Sequence, residues 1–285
     1  MTRVTVEELN IYPLKSGRAI AKQSVRIGRT GFEWDRNWMT VDRTGKFLSQ
    51  RTHPLLAQIV PEVSSDALVL NAPGRSALRV PHATEGAATG AAEGRPGAGS
   101  RVAVKVWDDP CEGVDQGDEA SAWLTGFLSE AVRLVRVVSE PKRIANPKYA
   151  GSDSHSVAFS DGFPILVVNR ASLEDLNTRM PEPVPMNRFR PNIVLGGLPA
   201  FAEDRIDSVR IGNVELRLVK PCTRCIITST DQQTGERTTN PLPVLRTFRF
   251  DRALLGVTFG ENAIVTTGVG ASLEVGTEAV VTFET

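Results

Sequence analysis

Three cysteines are few and odd in number for a chain of 285 residues, which excludes a disulfide scaffold and suits a reducing compartment. Charge of either sign is not in excess. The 33 Lys and Arg balance 33 Asp and Glu, and no block of five or more like charges occurs. A basic face for nucleic acid or an anionic membrane is therefore not the expected partner surface, and a small molecule is. Long apolar runs are missing as well. The opening MTRVTVEELN has no signal-peptide core, and runs such as PILVV fall far short of the ~20 residues that span a bilayer. Together these absences lead to the expectation of a soluble, cytoplasmic protein without nucleic-acid or membrane partners.

What is present is mostly short strand. RVTVEELNI, SVRIG and NWMTVDRTGKFLSQR carry period-two or turn-bounded patterns, and Asp42-Arg43-Thr44-Gly45 is a tight turn between two of them. Hairpins follow in IVPEVSSDALVLNAPG and in DSVRI-Gly212-Asn213-VELRLV. Two helices interrupt. One starts at Asp118, with Ala120, Trp123, Leu124, Phe127 and Leu128 on one face; the other is ASLEDLNTRM, where Ser172 and Asp175 have capping-box spacing. The fold class expected is mainly β with helical insertions (α+β), a barrel or curled sheet. A lobe boundary near residue 130 gives units of 1–130 and 131–285. Residues 84–100 are nearly all Gly, Ala and small polar residues, the composition of a flexible loop.

Two of the three cysteines, Cys222 and Cys225, share the stretch VKPCTRCIITSTDQQTGE. A zinc knuckle needs four ligands, and His53, His82 and His155 stand in no paired spacing. A redox CxxC sits at a helix start, whereas IITSTD is β-branched and reads as a continuing strand. A nucleophile and plain packing also stay open. Elsewhere Lys15 and Ser16 lie in the loop YPLKSG, Arg36 lies beside two tryptophans in GFEWDRNWM, and Arg188 and Arg190 bracket Phe189. Together these residues suit the cage of an anionic cofactor.

YPLKSG, DRNWM, GDEASAWL, FPILVVNRASLEDLN, RFRPNIVLGG, the long run ending KPCTRCIITSTDQQTGE, and FGENAIV come in an order and spacing that resembles the MOSC-domain proteins. Those with the MOSC amino-terminal β-barrel, which include the mitochondrial amidoxime reducing component, are the most similar in pattern. The resemblance covers nearly the whole chain outside residues 84–100. It implies a MOSC-type β-barrel with an N-terminal β-rich lobe, and a molybdenum cofactor whose metal takes a thiolate from Cys225. Cys222 would then be a supporting residue. It further implies that Lys15, Ser16, Arg36, Ser172, Arg190, Thr223 and Arg224 hold the pterin and its phosphate. Asn192 has two readings, closing a turn or bonding the backbone near the metal as part of the cofactor site. Ser172 also has a reading as a helix cap, and Asp231 as either a turn cap or a proton source, the turn being favoured. The block with Asn262 departs from the mitochondrial relatives, which carry a tyrosine there.

The activity implied is reduction of N-oxygenated compounds, namely hydroxylamines, amidoximes and N-hydroxylated bases, with two electrons and two protons returning the oxygen as water. The chain shows neither the four cysteines of a plant-type ferredoxin domain nor room for a pyridoxal-dependent desulfurase domain. A separate ferredoxin or flavoprotein is therefore expected as electron donor. The alternatives are a sulfur carrier with a persulfide on Cys225, and a protein that stores or delivers molybdenum cofactor.

Overall fold

In a computed structural model of the chain, which describes residues 3–82 and 97–284, seven strands close into a barrel. Around the ring run Ile165–Asn169, Ile193–Gly196, Val4–Ile11, Glu278–Phe283, Ile206–Ile211, Val214–Thr223 and Gly256–Thr267, and the last pairs back onto the first. The mainly β class with helical insertions is thus the one observed. Val6, Leu9, Val167, Leu195, Val209, Leu216 and Ala263 fill the interior. The alternation of Val4 and Val6 breaks before Leu9, and a shift in register between Val6 and Glu8 restores the inward phase.

Ile165–Asn169 is buried throughout, which explains its unbroken apolar run. Ile165 and Val167 face the barrel core. Leu166 and Val168 instead lie under a second cluster with Leu173 and Leu176 of the helix Arg170–Thr178, Leu245 of the helix Leu242–Phe248, Phe189 and Phe259. Gly260 makes the close packing possible. Its φ is +74°, and a Cβ there would stand 2.6 Å from a Val168 methyl.

A second unit consists of a four-stranded sheet (Trp38–Val41, Arg133–Val137, Asp109–Asp115, Arg101–Val106), a three-stranded one (Val60–Val63, Ala67–Asn71, Leu78–Pro81) and the helix Asp118–Leu128. Trp123 and Leu124 on that helix pack with Trp38, Leu56, Leu68, Leu70 and Leu134. Strand pairing crosses residue 130 in both directions: Val4–Ile11 belongs to the barrel, and Arg133–Val137 pairs with Trp38–Val41 and Asp109–Asp115.

Two local expectations are corrected. Asn169, not Ser172, caps the helix Arg170–Thr178, its side chain accepting from Ala171 N. After the cysteine loop, Ile226–Ser229 forms one turn of 3₁₀ helix and not a strand. The Thr228 hydroxyl donates to Cys225 O and the Ser229 hydroxyl to Ile226 O, so side chains that read as strand formers close the turn locally. The expected loop at residues 84–100 lies, up to residue 96, outside the described residues. Among the described residues no helix is long and apolar enough to cross a membrane.

Candidate functional site

A cleft of about 900 Å³, counting its open mouth, lies between the two units and is lined from both. From the amino-terminal side, the chain leaves Val4–Ile11, docks Lys15 N on Trp38 O at 2.7 Å, and turns at Ser16 with φ 68°. This buries Lys15, whose side chain is only 7% exposed. Its Nζ donates to Phe159 O at 2.8 Å and to Asp161 Oδ1 at 2.5 Å. Burial lowers the Lys15 pKa, against the pull of Asp161. For Asp161, desolvation would raise the pKa, but the Lys15 ammonium outweighs it and holds the carboxyl at about 2.

Arg36 and Arg190 both hold positive φ, 49° and 56°, and their guanidinium groups lie 4.2 and 4.3 Å from the Tyr12 ring centre. Burial pushes the Tyr12 pKa up to about 12 and brings Arg190 down to about 10. The Tyr12 hydroxyl donates to Pro191 O at 3.0 Å, so the ring is a fixed wedge between the two cations. Asn192 ties the pair of lobes together. Its Oδ1 accepts from Arg36 Nη1 and Leu166 N, while its Nδ2 donates to Asn10 O and Asp35 Oδ1.

The strand Val214–Thr223 carries the chain into the third wall. Arg224 Nη2 donates to Phe189 O at 2.7 Å, and its Nη1 lies 2.9 Å from Cys222 Sγ. Cys225 caps the 3₁₀ turn with extended backbone; it and Cys222 are half-buried free thiols facing the same cleft. Of the eight described non-glycine residues with positive φ, Ser16, Arg36, Trp107 and Arg190 line this one cavity. Strain concentrated in this way is a mark of a functional site.

The cleft therefore gathers Lys15, Ser16, Arg36, Arg190, Asn192, Thr223, Arg224 and Cys225. It does not gather Ser172 or Asp231. Ser172 is fully buried, donates to Glu203 Oε2 at 2.7 Å and accepts from Phe201 N. Asp231 Oδ1 accepts from Gln233 N and Thr234 N, and Oδ2 pairs with Arg188 at 3.1 Å. Led by the Thr234 amide bond, these contacts lower its pKa. The loop it organises straps the seam: Arg18 donates to Gln232 O and Gln233 O, and the Gln50 and Gln232 amides bond each other.

Sequence reasoning missed Arg51, Trp107, Ser160 and Asp161, all of which line the cleft. Asp161 lies in the turn-like SDGF and Trp107 in the hairpin turn VWDD, so the only signals were turn signals. Five cations, Lys15, Arg36, Arg51, Arg190 and Arg224, thus face one carboxylate, Asp161, in a protein with no net charge. Such a cavity concentrates anions. Arg224 Nε and Ser160 Oγ, on two of the residues that line the cleft, are buried without a hydrogen-bond partner.

Two family models match the chain, the MOSC N-terminal beta barrel domain over residues 3–131 and the MOSC domain over residues 154–280. The chain is 36% identical over 254 residues to mitochondrial amidoxime reducing component 2 of Bos taurus, covering 86% of this chain and 72% of that protein. It is 32% identical over 254 residues to mitochondrial amidoxime-reducing component 1 of Xenopus laevis, covering 86% and 71%. Against component 2 of Rattus norvegicus the identity is 34% over 256 residues, covering 86% and 72%.

Proposed function

Because the chain belongs to the MOSC-domain family, with amidoxime reducing components as relatives, we propose that it is a molybdenum-cofactor-dependent reductase of N-oxygenated compounds. The observation that carries this reading is the cationic interlobe cleft with free thiols on its wall. A pterin phosphate suits that donor set: guanidinium forks at Arg36, Arg190 and Arg224, the ammonium of Lys15, and the hydroxyls of Ser16 and Thr223. The partnerless Arg224 Nε and Ser160 Oγ fit it as well. Cys225 offers the thiolate for the metal, and Ser172 and Asp231 take no part. When bound, the cofactor supplies the two-electron oxygen-atom-transfer chemistry that cleaves an N–O bond.

The chain's own residues bind and orient. Tyr12 and Asn192 hold the Arg36 and Arg190 side chains in place, so little reorganisation accompanies binding. Arg224 fixes the Cys222 sulfur and the Phe189 carbonyl, which sets the cysteine loop against the cleft. The overall change, R–NHOH + 2 e⁻ + 2 H⁺ → R–NH₂ + H₂O, needs electrons from a separate ferredoxin or flavoprotein. Among the described residues no group of three or more His, Cys, Asp and Glu is placed to hold a metal ion. Asp231, its pKa lowered and its side chain turned into the strap, is not placed to deliver a proton to the cleft.

The test is molybdenum content, by plasma mass spectrometry, of protein made in a host that synthesises the cofactor. Near one atom per chain is expected, lost in Cys225→Ala and retained in Cys222→Ala, with turnover of an N-hydroxy substrate when a chemical electron donor is supplied. Equal retention in both variants overturns the ligand assignment. Folded, metal-free protein with an added sulfur on Cys225 moves the assignment to sulfur carriage, and metal-loaded but inert protein moves it to cofactor delivery.

A further inference from the structure

We propose that a second cavity, beside the four-stranded sheet and apart from the cleft, binds a small carboxylate with an apolar body, its charge held by Arg143 and Lys142. The proposal is independent of the reaction assigned to the cleft. The cavity measures about 670 Å³ with its open mouth, a size that suits a small ligand. The strands Asp109–Asp115 and Arg133–Val137 give Cys111 and Val137 to its wall, and the chain beyond them gives Val138, Pro141, Val157 and Phe159. None of its lining residues lines the cleft. Burial pushes the Cys111 thiol up, so that side chain joins the wall as a neutral, apolar group.

Arg143 is a cation fixed in place, its side chain only 5% exposed. Nη1 donates to Ala158 O and Ser160 O at 2.7 and 2.9 Å. Nη2 donates to Asp109 Oδ2 at 3.1 Å and to Asp161 O at 3.2 Å. With Lys15 Nζ on Phe159 O, these bonds take up four consecutive carbonyls of a segment that forms neither helix nor strand. That structural duty accounts for Nη1 and Nη2. It leaves out Nε, which is buried without a hydrogen-bond partner. A buried donor left unpaired is costly, and an anionic oxygen is the partner that relieves it best.

The rest of the wall decides which anion. Lys142, exposed at the surface, lines the same cavity and adds a second positive charge. Glu112, the one acid of the lining, is already paired with Arg101 at 3.4 Å. A phosphate would bring several charged oxygens to a wall with one unpaired buried donor and much apolar surface. A carboxylate asks less of the donors, and its hydrocarbon body covers the valines and Phe159.

The experiment titrates the full-length protein with octanoate by calorimetry. One site per chain is expected. Hexanoate, two methylenes shorter, should bind about tenfold more weakly, and both 1-octanol, which lacks the charge, and acetate, which lacks the body, should bind more weakly than octanoate. Alkylation by N-ethylmaleimide, followed by peptide mass spectrometry, then locates the ligand. At about ten times its dissociation constant, octanoate should slow labelling of Cys111 about tenfold and leave Cys222 and Cys225 unchanged. Arg143→Lys and Lys142→Ala should each weaken binding about fivefold, and the exposed Lys142 serves if the Arg143 variant unfolds. Protection of Cys222 and Cys225 in place of Cys111 would put octanoate among the cations of the cleft and overturn the proposal. So would 1-octanol binding as tightly as octanoate, or an unchanged affinity in Lys142→Ala.

Discussion

Asn192→Ala isolates the contact on which the seam depends. Asn192 is 1% exposed, and the four hydrogen bonds of its side chain, to Arg36, Leu166, Asn10 and Asp35, measure 3.0 to 3.1 Å. Neutral bonds contribute about 1 kcal/mol each and those to charged partners about 1.5–3 kcal/mol. Because Arg36 and Asp35 retain each other at 2.5 Å, the total loss falls below the sum of these contributions, at about 3–5 kcal/mol. At roughly 2–4 °C per kcal/mol for chains of this size, the melting temperature should drop by about 6–20 °C in differential scanning calorimetry. Asn192→Asp is the sharper probe, since it keeps the shape and places a carboxylate oxygen against Asp35 Oδ1. It should melt below Asn192→Ala at neutral pH and recover part of the gap in acid, where the new carboxyl is protonated. An Asn192→Ala protein that melts within about 2 °C of wild type would refute the reasoning.

A second test concerns pH. Glu261 is 4% exposed with no partner for Oε1, and burial, reinforced by Asp204 and Glu203, pushes its pKa up to about 9. Since the folded value lies above the unfolded one, its contribution to stability is complete below the ordinary Glu range and is lost as pH rises through about 9. Melting curves should fall between about pH 5 and about pH 9 in the wild type and fall less in Glu261→Gln, and parallel curves would contradict this. Gly235→Ala tests the strap: φ is +72°, and a Cβ would stand 3.0 Å from Pro54 O and 3.2 Å from Leu55 Cα. A loss of about 1–3 kcal/mol by urea unfolding is expected, and an unchanged midpoint would show that the strap yields freely.

Most of the barrel was legible because its strands carry their phase in the residues themselves. Val4 and Val6, the Gly212-Asn213 turn and the run Ile165–Val168 each state where they face. The barrel's closure was not, since the pairing of Ile165–Val167 with Glu261–Ala263 is a contact between distant segments with no local mark. The site divides in the same way. Residues that sit in motif blocks, such as Lys15, Arg36, Arg190 and Arg224, converge on one cavity. Ser172 sits in a block too, but one helical turn aims it inward at Glu203, and spacing along the chain does not record that direction. Asp161 was invisible for the opposite reason: an aspartate before glycine reads as solvated turn until Lys15, from far along the chain, arrives beside it.

The position of Glu278–Phe283 in the ring bears on how the protein is made. That strand lies between Val4–Ile11 and Ile206–Ile211, so it joins the most amino-terminal of the described strands to one from the second half of the chain. Until it emerges from the ribosome, Ile206–Ile211 and the Val4–Thr5 end of Val4–Ile11 present open edges, which invite pairing with other chains. The ring is therefore assembled from sequence-distant pieces and closes late, a topology that folds slowly. Shortening the chain within this strand would remove the piece that turns a curled sheet into a closed wall, even though no residue of Glu278–Phe283 lines the cleft.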